Sequence, residues 1–402
     1  MLQNKPCLFE NSFTKLWKIN ELWLKSDGSL NLDYLLNMYE TFKCPVIVDE
    51  NTSQCEEMTF REYIEKYIFN KKKGYLKDWH FQNLCHNNGL PQVYELFSIL
   101  KFDWINNEEW TTSSKNNPFG EDYRFLYFGP EGTWTKFHCD VMGSYSWSAN
   151  IVGKKIWYFV PIGNEKYFLD KKCGNNNYIN DIRERKDIWK ESGVFEVTQN
   201  PGEVIFVPSG MWHQDLTLSL NHNFINAANI ELVYDLLIKR KLDVEKEIED
   251  VISMNVYTNE EINNIKENIL KLDLKINFKI FNQLIEKIKN ERENFVNFFN
   301  ANNIGNALID INEVNKENIC KISEIYCTCD EDIYGLNTSN IKPFLEENTT
   351  NMTDIIPKHM KELENNDNIG FTNVKMYLDS SWFIIFKSPA FINRRLSTII
   401  NN

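Results

Sequence analysis

Two short segments carry residue types that could hold a metal ion. The first, Gly132-Thr133-Trp134-Thr135-Lys136-Phe137-His138-Cys139-Asp140, ends in an H-x-D triplet; the second, Pro208-Ser209-Gly210-Met211-Trp212-His213, ends in a histidine. If the first segment is extended, His138 and Asp140 at i and i+2 leave the same face while Cys139 points away. Two ligands on one strand and a distant histidine make up a 2-His-1-carboxylate set, which holds Fe(II) on one side and leaves the opposite positions open. Four thiolates would instead favour a closed zinc site. An H-x-D triplet alone is common, and its plainest reading is a surface histidine beside a solvated aspartate. The chain has only six histidines, however, and two of them close segments flanked by strand patterns.

The elements between the two segments must bring them together. Lys155-Ile156-Trp157-Tyr158-Phe159-Val160 alternates in strand fashion after Ile151-Val152-Gly153-Lys154, where the glycine suggests a turn. Lys155, Trp157 and Phe159 then share a face, and a lysine among large aromatics is either at a wet strand end or a buried cation awaiting an anion. The far carboxylate of 2-oxoglutarate, a metal-chelating co-substrate, is such an anion. A register slip of one residue would turn Lys154 inward instead. Further on, Pro201-Gly202 reads as a turn into the short apolar strand Val204-Ile205-Phe206-Val207, which leads to His213. This order suits a double-stranded β-helix.

Other residues in order carry a resemblance: Tyr75-Leu76-Lys77-Asp78-Trp79-His80-Phe81, Asp122-Tyr123-Arg124-Phe125 running into Gly129-Pro130, Ser144-Tyr145-Ser146-Trp147-Ser148, Asn221-His222-Asn223-Phe224 and Ile276-Asn277-Phe278. With them the chain resembles the JmjC-domain Fe(II)/2-oxoglutarate oxygenases over most of its length, in the branch that contains the lysyl hydroxylase of the eukaryotic translation release factor. The resemblance implies an α+β fold with a double-stranded β-helix core, and His138, Asp140 and His213 as both the metal ligands and the catalytic centre. It implies Lys155, Thr135, Tyr75 and Asn223 as co-substrate contacts, with Fe(II), 2-oxoglutarate and O2 as cofactors. It assigns His222 to packing or hydrogen bonding. Two departures stand out: Ser148 occupies a position where several relatives carry asparagine, and the stretch from His213 to Asn221 is shorter than usual for the branch. The activity implied is hydroxylation of a lysine side chain in a translation termination factor or similar protein. N-methyl-lysine or arginine demethylation is the second enzymatic reading, and a non-catalytic JmjC-like scaffold the third, which the intact triad and Lys155 disfavour.

At 402 residues, with 42% hydrophobic and 14% aromatic content, the chain can bury a sizeable core. A net charge of −13 argues against a general nucleic-acid binder and suits a basic protein partner. No run of about 18 apolar residues suggests a membrane span, and the start of the chain has no signal-like apolar core. The expectation is a cytoplasmic protein, or one shared with the nucleus. Nine cysteines without a zinc-ribbon spacing read as free thiols, with Cys320, Cys327 and Cys329 the one cluster.

Three regions are expected. Residues 1–120 form a mixed extension bracing the core, with a helix over Leu30–Tyr39, a strand over Cys44–Val48, and a helix from Met58 begun by a Thr59/Glu62 capping box. Residues 121–235 form the catalytic core, interrupted by a polar insert from Gly163 to Ser192 that is either a solvated loop or a lid. Residues 236–402 are mainly helical. There Phe281, Leu284, Ile285 and Ile288 form an apolar stripe that either covers the core or builds a homodimer.

Overall fold

The computed structural model describes residues 4–301 apart from 50–51, 97–102, 107–109, 111–116, 171–177 and 227. The chain divides into two compact units. The first holds the described residues of Met1–Glu95, Ile105–Ile225 and Asn229–Asn277; the second holds those of Leu96–Trp104, Asn226–Ala228 and Phe278–Asn402. The first unit contains every candidate site residue. In the second, the helix Phe278–Ala301 forms where the apolar stripe was expected, and Phe281, Leu284, Ile285 and Ile288 are buried. Cys320, Cys327, Cys329 and the rest of the final hundred residues lie outside the described part. Among the described residues no helix is long and apolar enough to cross a membrane.

The first unit is α+β. Among its described residues nine strands form one antiparallel sheet: β1 (Cys7–Phe9), β2 (Lys43–Asp49), β3 (Gln54–Thr59), β4 (Tyr75–Trp79), β5 (Arg124–Phe128), β6 (Tyr145–Phe159), β7 (Phe195–Gln199), β8 (Val204–Val207) and β9 (His213–Phe224). Their order is β1-β8-β6-β9-β5-β4-β2-β3, with β7 also paired to β6. The N-terminal extension thus continues the sheet through β4, β2 and β3. Its helices form where the sequence places them. Leu32–Tyr39 is capped by the Asn31 side chain, and the Thr59 hydroxyl and Glu62 carboxylate make the reciprocal capping box. Behind these strands Trp23, Tyr39, Phe60, Trp79 and Phe81 are all buried. Trp23 and Tyr39 meet Phe81 edge-on with ring centroids 5.3 and 5.1 Å apart, contacts that each add about 0.5–1.5 kcal/mol beyond area burial.

The long pair β6·β9 positions the site. Tyr145 to Ile151 are buried on both faces of β6, as in a sheet covered on each side. Ser146, Ser148 and Asn150 pair across to Asn223, Asn221 and Ser219, so one face of both strands is a polar stripe. The sequence reading of a turn at Gly153 is corrected here. β6 runs through without turning, and between the pairs Val152↔Leu218 and Ile156↔Leu216 it carries three residues against one. Gly153 takes φ +75° in this bulge, a region that costs a residue with a Cβ. The Asn150 side chain donates to the Gly153 carbonyl at 2.8 Å and closes it. A second irregularity, between Asn150↔Ser219 and Val152↔Leu218, leaves one β6 residue without a counterpart. This odd insertion, unlike the even one at Gly153, shifts the alternation, so the inward set changes from even to odd numbers and Lys155, Trp157 and Phe159 join the face that Ser148 occupies. Lys154 is exposed and Lys155 fully buried.

The insert after β6 is more than a solvated loop. Phe168 and Ile182 are buried in one cluster with Phe137, Tyr158 and Val160. The Phe137 amide donates to the Asn180 carbonyl, and Arg183 lies over the Trp134 ring at 5.2 Å. Its core therefore props the segment leading to His138. Its 171–177 portion lies outside the described residues.

His80 ties β4 to β5. Its Nδ1 lies 2.7 Å from the fully buried Asp122 carboxylate and its Nε2 3.1 Å from Glu121. Partial burial opposes protonation, but the two carboxylates outweigh it and raise the imidazole to about 9. A raised folded-state pKa contributes stability that is full below the unfolded value near 6.5 and is lost as pH rises through about 9. His80→Gln is therefore expected to lower stability by about 1–2 kcal/mol at pH 6, after discounting for solvent screening, and by little at pH 10. Urea melts at the two pH values check this; an equal loss at both would remove the charge argument.

Candidate metal centre

His138, Asp140 and His213 come together at the mouth of the β6·β9 pair. One potential ligand atom from each lies within 4.8 Å of the others. The local backbone differs from the strand expected over Gly132–Asp140. His138 forms an isolated antiparallel bridge with His213, each amide donating to the other's carbonyl at 3.0 and 2.8 Å, and Asp140 starts a 3-10 turn over Val141–Gly143. A loop held by one bridge delivers the i, i+2 pair as a strand would, because Asp140 itself remains extended at φ −59°, ψ 141°.

Second contacts orient each ligand. His138 Nδ1 donates to the Lys136 carbonyl at 2.7 Å and His213 Nδ1 to the Met211 carbonyl at 3.0 Å, which leaves both Nε2 lone pairs free for a metal. The two rings lie 4.4 Å apart. Burial on its inner side, followed by the His213 ring, pushes His138 down to about 4, so it is neutral and able to ligate. The Ser146 hydroxyl donates to Asp140 Oδ2 at 2.6 Å, and Asp140 Oδ1 stands 4.0 Å from His138 Nε2. The rings of Trp157 and Phe159 flank His213 at 5.5 and 5.9 Å. Two imidazoles and one carboxylate on one side fit a divalent iron site with open positions. Ser146→Ala removes the hold on Asp140 and is expected to weaken Mn(II) binding about 10–100-fold, as a titration followed by electron paramagnetic resonance would read; an unchanged affinity would mean that the loop alone orients Asp140.

Deeper in, Lys155 is fully buried and its three ammonium donors are all engaged. They meet Asp215 Oδ2 at 2.5 Å, Ser219 Oγ at 2.9 Å and Ser148 Oγ at 3.2 Å, while the Trp157 ring lies 4.4 Å away. Ser148 and Ser219 each donate onward to Asn221 Oδ1 at 2.8 Å. Burial pushes Lys155 down. Burial also opposes ionisation of Asp215, but the Lys155 ammonium outweighs it and holds that carboxyl at about 2. The two form an ion pair. Thr135 is joined to Asp215 through its amide, which donates to the Asp215 carbonyl at 2.8 Å, and through its hydroxyl. The buried Tyr75 hydroxyl faces the same group and has no partner of full hydrogen-bond geometry. A buried cation, several hydroxyls and an orphaned phenol make a cradle of the kind that takes a carboxylate. The remaining contact expected from the sequence, Asn223, donates to Ser144 Oγ at 3.1 Å; the network on Lys155 runs instead to Asn221, two residues earlier on the same face.

His222 is a packing residue. Its Nε2 lies 2.6 Å from the Tyr94 hydroxyl and its ring 4.2 Å from Trp147. Trp147 therefore fills the core, and Trp212 lies tilted against Tyr178 of the insert with ring centroids 4.1 Å apart. At the outer end, Tyr127 donates to Asp78 at 2.6 Å and Lys77 pairs with Asp78 at 2.9 Å. Asp78 holds a left-handed φ of +59° in the β4 bulge, strain of a kind that collects at functional sites.

With this geometry in hand, the comparisons with known proteins align. Residues 125–226 match the family described as "JmjC domain, hydroxylase". The chain is 37% identical over 276 residues to "2-oxoglutarate and iron-dependent oxygenase JMJD4" of Mus musculus, covering 62% of each chain. It is 34% identical over 272 residues to the Homo sapiens protein of that name, covering 62% of this chain and 63% of that one. It is also 34% identical over 275 residues to "Arginine-specific demethylase JMJ20" of Arabidopsis thaliana, covering 62% and 59%. The chain thus spans about three fifths of the length of the relatives it matches.

Proposed function

We infer that this chain, which carries a JmjC domain over residues 125–226, is an Fe(II)- and 2-oxoglutarate-dependent oxygenase that hydroxylates a protein side chain. The observation that carries this reading is the convergence of His138, Asp140 and His213 with both Nδ1 atoms tied to backbone carbonyls. The names of the mouse and human relatives support the same co-substrate and metal. We read the sheet around the site as the double-stranded β-helix that the sequence suggested.

The chain's own groups divide the work. His138, Asp140 and His213 would hold the metal, with Ser146 keeping one Asp140 oxygen turned away from solvent. Lys155, Thr135 and Tyr75 would receive the far carboxylate of 2-oxoglutarate, with Ser148, Ser219 and Asn221 setting the direction of the Lys155 ammonium. Trp157 and Phe159 close the side next to His213 and keep water away. When bound, Fe(II) with 2-oxoglutarate and O2 supplies oxidation of an unactivated C–H bond, while the protein supplies position and dryness.

The finer reading is hydroxylation of a lysine in a translation termination factor, in the cytoplasm, and the acidic chain suits a basic partner. A second reading, N-methyl-arginine demethylation, has the named activity of the Arabidopsis relative in its favour. Incubation with Fe(II), 2-oxoglutarate and candidate peptides, read by mass spectrometry, separates them: a gain of one oxygen supports hydroxylation, and loss of a methyl group supports demethylation. If no peptide changes and no succinate forms, the oxygenase reading fails.

A further inference from the structure

Among the groups lining the co-substrate cradle, one is of the wrong charge. Asp215 lies two residues after His213 on β9, so both side chains leave the same face of that strand. It is 4% exposed, and its carboxylate takes the one charged contact that Lys155 makes among the described residues. An ammonium has three donors, and all three are already committed, to Asp215, Ser148 and Ser219. Thr135 too is engaged with Asp215. A carboxylate arriving from outside therefore finds its two expected partners bound to a carboxylate of the chain.

We propose that Asp215 is an internal occupant of the far-carboxylate subsite that competes with 2-oxoglutarate for Lys155, so that the far carboxylate contributes little to co-substrate affinity. This rests on the 2-oxoglutarate reading above and concerns the same pocket. Lys155 can bind an incoming carboxylate only by giving up one of its three contacts, and whether it releases Asp215 or a serine, the buried aspartate is left beside a second negative charge or forced to move. Both penalties are subtracted from what the far carboxylate would otherwise contribute. The chelating end of a 2-oxo acid does not meet this cost. The two irregularities of β6 between Asn150 and Ile156 place the two residues on one face, with Lys155 opposite Gln199 of β7 and Asp215 paired with Trp157, two residues further on.

Calorimetric titration of the Mn(II)-loaded protein tests this without turnover, using N-oxalylglycine, an unreactive 2-oxoglutarate analogue, and N-methyloxamate, which keeps the chelating end and lacks the far carboxylate. The wild-type protein is expected to bind N-oxalylglycine no more than about threefold tighter than N-methyloxamate. Asp215→Asn and Asp215→Ala are expected to tighten N-oxalylglycine by at least about tenfold and to leave N-methyloxamate unchanged. The proposal is overturned if the wild type already prefers N-oxalylglycine by about a hundredfold, a comparison that needs no variant to fold. It is equally overturned if folded variants bind both ligands as the wild type does; in that case the co-substrate reading stands and only the role of Asp215 falls. Should neither ligand bind any Mn(II)-loaded form, the co-substrate reading itself fails, and the role of Asp215 with it.

Discussion

His213→Ala is expected to abolish turnover and to weaken divalent metal binding by well over about 100-fold, since loss of a mere outer contact costs roughly 10–100-fold. His213 does three things at once. It offers Nε2 to the metal, its backbone exchanges both hydrogen bonds with His138, and its ring fills the space beside Trp157 and Phe159. The backbone contribution survives substitution, so the bridge and the position of His138 should persist. Asp140→Asn isolates the charge: the amide nearly matches the carboxylate in shape, and Ser146 can still donate to its oxygen. It is expected to lose metal affinity with little change in thermal stability. A variant with wild-type Mn(II) affinity at either position would mean that the metal sits elsewhere.

Lys155→Ala is expected to destabilise the fold by about 3–5 kcal/mol, because it leaves the Asp215 carboxylate buried and unpaired. Replacing both members together, Lys155→Met with Asp215→Leu, is expected to recover most of that loss, since well-packed apolar groups can substitute for a buried pair at little or no cost. Urea denaturation of the two single variants and the double variant gives the coupling directly. Additive losses would show that the 2.5 Å contact contributes little in solution. The double variant should also fail to use 2-oxoglutarate, which separates the stability of the site from its chemistry.

The convergence of His138, Asp140 and His213 was legible because its parts are local: an H-x-D triplet, and a histidine at the end of a proline-led segment. Lys155 was legible from alternation with Trp157 and Phe159, although the reason it shares the face of Ser148, a one-residue slip against β9 between Asn150 and Val152, is a property of strand pairing that Ile151-Val152-Gly153 does not reveal. That glycine read as a turn because its left-handed conformation serves turns and bulges alike. Asp215 was within reach, since His213-Gln214-Asp215 repeats the H-x-D spacing of the first ligand segment and places the aspartate on the ligand face. Its contact with Lys155 depends on where two strands slip past each other, which no spacing within either strand records. The same holds for Asn221 and Asn223. Both lie on the inward face, and the cross-strand pair Ser148↔Asn221 decides which of them joins the lysine network. The capping box of Thr59 and Glu62 needed no such long-range information and formed as read.

The most direct measurement is a crystal structure of the protein soaked with Mn(II), with the metal located by its anomalous scattering. The account predicts one strong peak bonded to Nε2 of His138, a carboxylate oxygen of Asp140 and Nε2 of His213, with both Nδ1 atoms still donating to the Lys136 and Met211 carbonyls. A peak held by other residues, or none at this site with metal in excess, would contradict it.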